Sequence, residues 1–285
     1  MNESLQSLQR SVGRYGIWTH ARGDGLAELA ETASELEELG YGTIWLGGSP
    51  DVGHAAPVLT ATSSITVATG IVSIWSYEAK DVAARFAELE SAHPGRFLLG
   101  LGVSHAALAG ERYRRPYAAM TQYLDELDAA DVPSERRVLA ALGPRMLELS
   151  RDRAAGAHPY LVTPEHTAEA RALLGEGPLL APELGVVLEA DPDRARTVAR
   201  GALAAYLKLP NYTNSWLRLG FTEDDLAGGG SDRLVDALYA WGDEDRVRRR
   251  VEDFWAAGAD HVALQLLGEK ERQAEDRRRL ARALV

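Results

Sequence analysis

Residues 96–105, RFLLGLGVSH, run apolar from Phe97 to Val103 and then end in Ser104 and His105. A strand apolar on both faces needs cover on both faces, which a parallel sheet or a barrel wrapped by helices provides. Polar groups just past its carboxyl end then stand where α/β folds keep their chemistry. Upstream, His93-Pro94-Gly95 ends a helix, because Pro94 biases its neighbour away from helix and Gly95 permits the reversal.

The same plan recurs on both sides of this stretch. Before it, strands are expected at 16–19, 43–46 and 65–74, with helices over 25–39, 55–62 and 79–92. The helix over 25–39, with Asp24 as its cap, carries Leu26, Leu29, Ala33 and Leu36 at one-sided spacing. After it, strands are expected at 138–142, 158–162, 183–188 and 261–267. Helices fall over 116–130, 143–155, 164–174, 191–207, 232–241, 243–257 and the end of the chain. Thr163-Pro164-Glu165 reads as a helix start. Residues 1–10 read as a polar lead and 208–230 as the least regular part. Eight strands, each followed by a helix, predict an α/β protein of the (β/α)8 TIM-barrel class, one domain over 1–285. An open doubly wound sheet is disfavoured, since no flexible linker divides the chain and no G-x-G-x-x-G opens a helix.

The 285 residues carry 46% apolar and 26% charged side chains and a net charge of −11, which argues against nucleic acid and anionic membrane surfaces as partners. The absence of cysteine removes thiolate chemistry and cysteine metal sites, and the seven His are too scattered to suggest a metal. With no apolar leader or span of ~20 residues, a cytoplasmic location is the expectation.

In a barrel, function sits on the loops after the strands, which sorts the candidates. These are Trp18 and His20, Gly47 to Ser49, the segment from Ile71 to Trp75, Val103 to His105, Gly143 to Arg145, and then His158 and Thr163. Gly143-Pro144-Arg145 joins a close backbone approach to a helix amino terminus and a cation, a pattern suited either to a phosphate or to plain capping. His20, His54, His105 and His158 are the loop histidines; His93 and His261 read as structural and His166 as a surface residue. Trp18 and Trp75 lie near strand ends, where they can wall a pocket, whereas Trp45 reads as core.

Taken together, GYGTIWLGG at 40–48, ITVATGIVSIW at 65–75, HPGRFLLGLGVSH at 93–105 and RVLAALGPRMLELS at 137–150 resemble the bacterial luciferase-like superfamily. Within it the chain looks like the branch of oxidoreductases that use coenzyme F420. The resemblance implies a flat deazaflavin across the barrel mouth, backed by a non-proline cis peptide at about Ile71-Val72. It implies that Val103, Ser104 and His105 touch the ring or its side chain, that Gly47 lies beside it, and that Gly143, Pro144, Arg145 and Thr163 hold the phosphate. Two departures stand out. Gly47-Gly48-Ser49 replaces an acidic-His pair of several relatives, and His105 stands where a Glu is frequent.

The expected reaction is hydride transfer between the deazaflavin and a small organic substrate. His20 and His105 are the expected proton carriers, and Trp18, Trp75 and His158 the expected substrate contacts. The alternatives are an FMN-dependent monooxygenase and a barrel that binds either group without turnover. An apolar helical stretch after the first strands, with the family's habit, suggests a homodimer.

Overall fold

In the computed structural model, which describes residues 3–20 and 24–284, the strand of the opening stretch is buried at every position from Phe97 to Gly102. It is the fifth of eleven strands in one sheet among the described residues. In chain order these are β1 (Tyr15–His20), β2 (Thr43–Gly47), β3 (Thr66–Gly70), β4 (Val72–Ser73), β5 (Phe97–Gly102) and β6 (Arg137–Leu139). They continue with β7 (Gly156–Ala157), β8 (Leu179–Leu180), β9 (Glu183–Val187), β10 (Tyr239–Trp241) and β11 (Val262–Leu266). The pairing order is β10-β9-β11-β1-β2-β3-β5-β6-β7-β8, with β4 on β5, and every pair is parallel.

β8 and β9 are separated only by Ala181 and Pro182. Ala181 N–H donates to Ala157 O at 2.9 Å and Ala263 N–H to Pro182 O at 2.9 Å. The segment 179–187 is therefore one interrupted strand that joins β7 on one side to β11 on the other. Counted this way, eight barrel positions curl round in a TIM-barrel order, with β4 and β10 as additions.

Period-two alternation divides each strand between two cores. Ile17, Ile44, Val67, Leu99, Leu139 and Leu264 point outward into the layer shared with the helices. Trp18, Trp45, Ala68, Leu98, Val138 and Ala263 point into the barrel. Leu8 and Val12 belong to that inner cluster as well. They come from a helix, Glu3–Val12, in the stretch expected to be a polar lead. It closes the amino-terminal end of the barrel: Thr43 Oγ1 donates to Val12 O at 2.8 Å and Thr66 Oγ1 to Ser11 O at 3.1 Å.

Several other expectations are corrected. The strand over 65–74 breaks into β3 and β4 around a cis peptide between Gly70 and Ile71. The strands expected at 138–142 and 158–162 are shorter and start earlier, as β6 and β7, because the residues after them turn into the cavity described below. Residues 239–241 are strand β10 rather than the end of a helix, since Tyr239, Ala240 and Trp241 pair with Gly185, Val186 and Val187. Within 208–230 lie the helices Pro210–Arg218 and Glu223–Leu226. Among the described residues no helix is long and apolar enough to cross a membrane.

Candidate active site

A cavity of 620 Å³ opens at the carboxyl ends of the barrel strands, within the range of about 300–1,000 Å³ common for small-molecule sites. Two glycines just behind its lining shape one side. A Cβ on Gly100 would lie 1.8 Å from Thr69 O, and one on Gly102 would lie 2.6 Å from Ile71 Cδ1. The two glycines of LLGLG thus let β3 approach β5 and seat the Ile71 side chain. Thr69 Oγ1 and Gly100 lock the approach with two hydrogen bonds of 2.8 Å. The cis peptide falls at Gly70-Ile71, one residue before the expected place, and both residues line the cavity. Val72 is fully buried in the outer core.

Trp18 Nε1 donates to Gly70 O at 3.2 Å and His20 packs edge-on against its ring, so both line one wall. Gly47 gives the indole room, because a Cβ there would meet Trp18 Cζ2 at 2.1 Å; Gly48 and Ser49 reach the cavity in its place. His54 caps the helix Ala55–Thr60 and is not part of the lining.

Beneath Trp18 sits a line of buried rings. His158 is 2% exposed and stacks on Trp45 with centroids 3.9 Å apart and planes 11° apart. Trp45 Nε1 donates to His261 Nε2 at 3.0 Å, and His261 Nδ1 faces Gly13 O at 3.0 Å. His158 Nδ1 faces Ala181 O at 2.6 Å, while its Nε2 is buried without a partner. Burial pushes His158 down to about 3 and His261 to about 4, so both rings are neutral across the physiological range.

The turn after β5 forms the opposite wall. Ser104 adopts φ 52°, and its carbonyl accepts from Asn211 Nδ2 at 3.3 Å. Trp75 does not line the cavity but braces the turn from outside, its Nε1 donating to Val103 O at 2.5 Å. His105 packs on Tyr212 with centroids 5.3 Å apart, and its Nδ1 is buried without a partner. Desolvation pushes the His105 pKa down, favouring the neutral ring.

The expected phosphate residues separate. Gly143 lines the cavity and caps the helix Pro144–Arg153, whose first turn follows directly. Arg145 turns away to stack on Tyr117 at 4.3 Å, and Thr163 is 2% exposed, capping the helix Pro164–Leu174. The cation at this end is Arg218, which lines the cavity and donates through Nη2 to Leu142 O at 2.8 Å. His166, expected at the surface, is 2% exposed, and its Nε2 lies 3.1 Å from the same carbonyl. Arg218 had no sequence signal, because it lies in the segment expected to be irregular.

Tyr212 and Asn214 of that segment, with Tyr206 just before it, supply the remaining wall, facing Tyr160 from the loop after β7. Tyr206 donates to Tyr160 Oη at 3.3 Å, and Tyr160 donates to Gln265 Oε1 at 2.7 Å. Behind them Glu183 is fully buried; its Oε2 accepts from Leu161 N–H at 3.1 Å and its Oε1 has no partner. Desolvation lifts this carboxyl to about 8.

Residues 11–130 match the family model described as luciferase-like monooxygenase. N-acetyl-S-alkylcysteine monooxygenase of Bacillus subtilis (strain 168) is 30% identical over 141 residues, which span 43% of this chain and only 42% of that protein. Among solved structures, an F420-dependent secondary alcohol dehydrogenase in complex with an F420-acetone adduct superposes with a TM-score of 0.75 at 14% identity, over 96% of this chain and 99% of that one. The oxygenating constituent of 3,6-diketocamphane monooxygenase of Pseudomonas putida, in complex with FMN, gives 0.69 at 13% identity, over 94% of this chain and 96% of that one. Residues 11–130 are thus luciferase-like in sequence, and the rest of the chain completes the barrel fold that these structures share.

Proposed function

We propose that this chain is an oxidoreductase that holds coenzyme F420 in the cavity and moves a hydride between the deazaflavin and a small organic substrate. The observation that carries the reading is the match between the lining and such a group. Apolar faces are offered by Ile71 and Val103, buried unpartnered imidazole nitrogens by His158 and His105, and a cation beside a helix amino terminus by Arg218 and Gly143. The similarity in fold to the F420-dependent alcohol dehydrogenase supports the same choice. When bound, a deazaflavin supplies a two-electron hydride donor or acceptor.

In this reading Ile71 backs the ring, with Gly47 and Val72 packed behind the lining, and Val103, Ser104 and His105 flank it. Gly143, Pro144 and Thr163 shape the phosphate end, where Arg218 takes the role expected of Arg145. Trp18 walls the substrate side, Trp75 braces the Val103 turn from outside the cavity, His158 lies at the floor beneath the ring, and Tyr206 and Tyr212 exclude water. A neutral His105 is ready to take a proton rather than to give one, which suits alcohol oxidation; His20 is the second candidate. The protein is read as a cytoplasmic homodimer, testable by solution scattering.

A second reading, an FMN-dependent monooxygenase, is favoured by the 30% identity over 141 residues to the Bacillus monooxygenase together with the fold shared with the FMN-bound diketocamphane monooxygenase constituent. Fluorescence titration of the purified protein with F420 and with FMN decides between them: micromolar or tighter F420 binding is expected, and selective FMN binding overturns the proposal. With a substrate found by a panel screen, replacing both His20 and His105 by Ala is expected to lower kcat roughly 100-fold or more. An unchanged kcat removes both from proton transfer.

A further inference from the structure

Two buried histidines of the barrel interior are in the same state and differ in one respect. Each turns Nδ1 toward a main-chain carbonyl, Gly13 O for His261 and Ala181 O for His158. A carbonyl only accepts, so in both rings Nδ1 carries the proton and Nε2 presents a lone pair. In His261 that lone pair is used by the Trp45 indole at 3.0 Å. In His158 it is not used.

The unused lone pair has a fixed direction, in the ring plane and beside Gly70 at the edge of the floor. Stacking on Trp45 fixes the plane of the His158 ring, and the bond to Ala181 O fixes its rotation. His158 belongs to the cavity lining, and a Cβ added to Gly70 would lie 3.1 Å from Nε2. The neighbouring donor, Trp18 Nε1, is already engaged by Gly70 O. This part of the floor therefore offers an acceptor whose neighbouring donor is taken, and a buried polar atom in that condition calls for a partner.

We propose that His158 Nε2 accepts a hydrogen bond from a ring N–H of the flat heterocycle held in the cavity, and so sets how deeply and in which orientation that ring enters. The inference rests on the reading of the cavity as a deazaflavin or flavin site. Both groups carry an imide N–H on the edge of the ring, and a ring edge bearing only acceptors would face the lone pair unfavourably. His158 is a positioning and recognition residue in this scheme, and no proton leaves it.

The test is a cycle of binding measurements on the full chain. Dissociation constants for F420 and FMN, and for an analogue of whichever of the two binds, methylated at the imide nitrogen, are measured by fluorescence for the wild type, His158→Phe and His158→Gln, with circular dichroism reporting the fold. Methylation is expected to weaken wild-type binding by roughly tenfold or more and to have little effect on His158→Phe, which already lacks the acceptor. His158→Gln, which restores an acceptor oxygen, is expected to recover part of the loss. If His158→Phe does not fold, the comparison of methylated and parent ligand on the wild type decides. Equal losses in wild type and His158→Phe, or no loss on methylation, overturn the role of His158 and leave the cofactor reading standing. Binding of neither parent ligand to the wild type removes the cofactor reading, and the inference with it.

Discussion

Glu183 is a carboxyl where a carboxylate is costly: it is fully buried, and one of its oxygens has no partner. Around it, burial pushes up the pKa values of Tyr160, Tyr206, Tyr212 and Tyr239, and the carboxyl's charge adds to each. Burial also lifts the carboxyl itself to about 8 in the folded protein, above the ordinary value of 4.5. Its stabilising contribution is therefore complete below pH 4.5 and is lost as pH rises through about 8. Each tenfold change in proton affinity is worth ~1.4 kcal/mol. Glu183→Gln keeps the shape and the acceptor for Leu161 N–H while removing the charge. Urea unfolding at pH 5, 7 and 9 is expected to show the wild type losing stability toward pH 9 and the variant losing much less. At this scale the sequence was legible where position alone decides: Trp18 toward the end of β1, and His105 and Gly143 past the ends of their strands, line the cavity. It was not legible where tertiary contacts decide. His166 sits on the first turn of a helix, a surface position by rule, yet the Leu142 carbonyl draws it in; Arg218 and Tyr212 owe their places to a segment without periodicity.

The elements closest to the opening stretch were the easiest to read, because an apolar run between Gly/Pro breaks leaves little choice. Two were missed for identifiable reasons. The helix Glu3–Val12 has only three apolar positions, Leu5, Leu8 and Val12, and reads as polar until the barrel end it covers is known. β10 follows a helix without a turn, so nothing local marks the change at Tyr239. If the first helix is part of the barrel core, Leu8→Ala should cost about 2–5 kcal/mol in thermal or urea unfolding, whereas a mere polar lead would cost almost nothing. Gly100→Ala is expected to be worse tolerated, since its Cβ would meet Thr69 O at 1.8 Å and neither strand can yield. Soluble yield and circular dichroism report that outcome.

For the molecule as a whole, the buried histidines weaken the fold in acid. His158 and His261 are depressed to about 3 and about 4, so their contribution is present above ~6.5 and is lost as pH falls toward those values. Surface ion pairs matter less. Arg278 and Glu35, 45% and 33% exposed, join the last helix to an early one, and Arg278→Ala is expected to change stability by under about 1 kcal/mol. The barrel order could be read from eight periodic strands. The excursion between β9 and β11 could not, because no repeating pattern announces what it packs against.

That excursion leaves the barrel after Val187 and comes back at β10 beside the strand it left: Trp241 is the register partner of Val187, and Gly242 N–H donates to Val187 O at 3.1 Å. One uninterrupted stretch with both ends clamped together contributes Tyr206, Asn211, Tyr212 and Arg218 to the cavity. The architecture is that of a frame with an exchangeable cassette. A related barrel could receive this stretch through two adjacent junctions, and whatever selectivity these four side chains confer would travel with it.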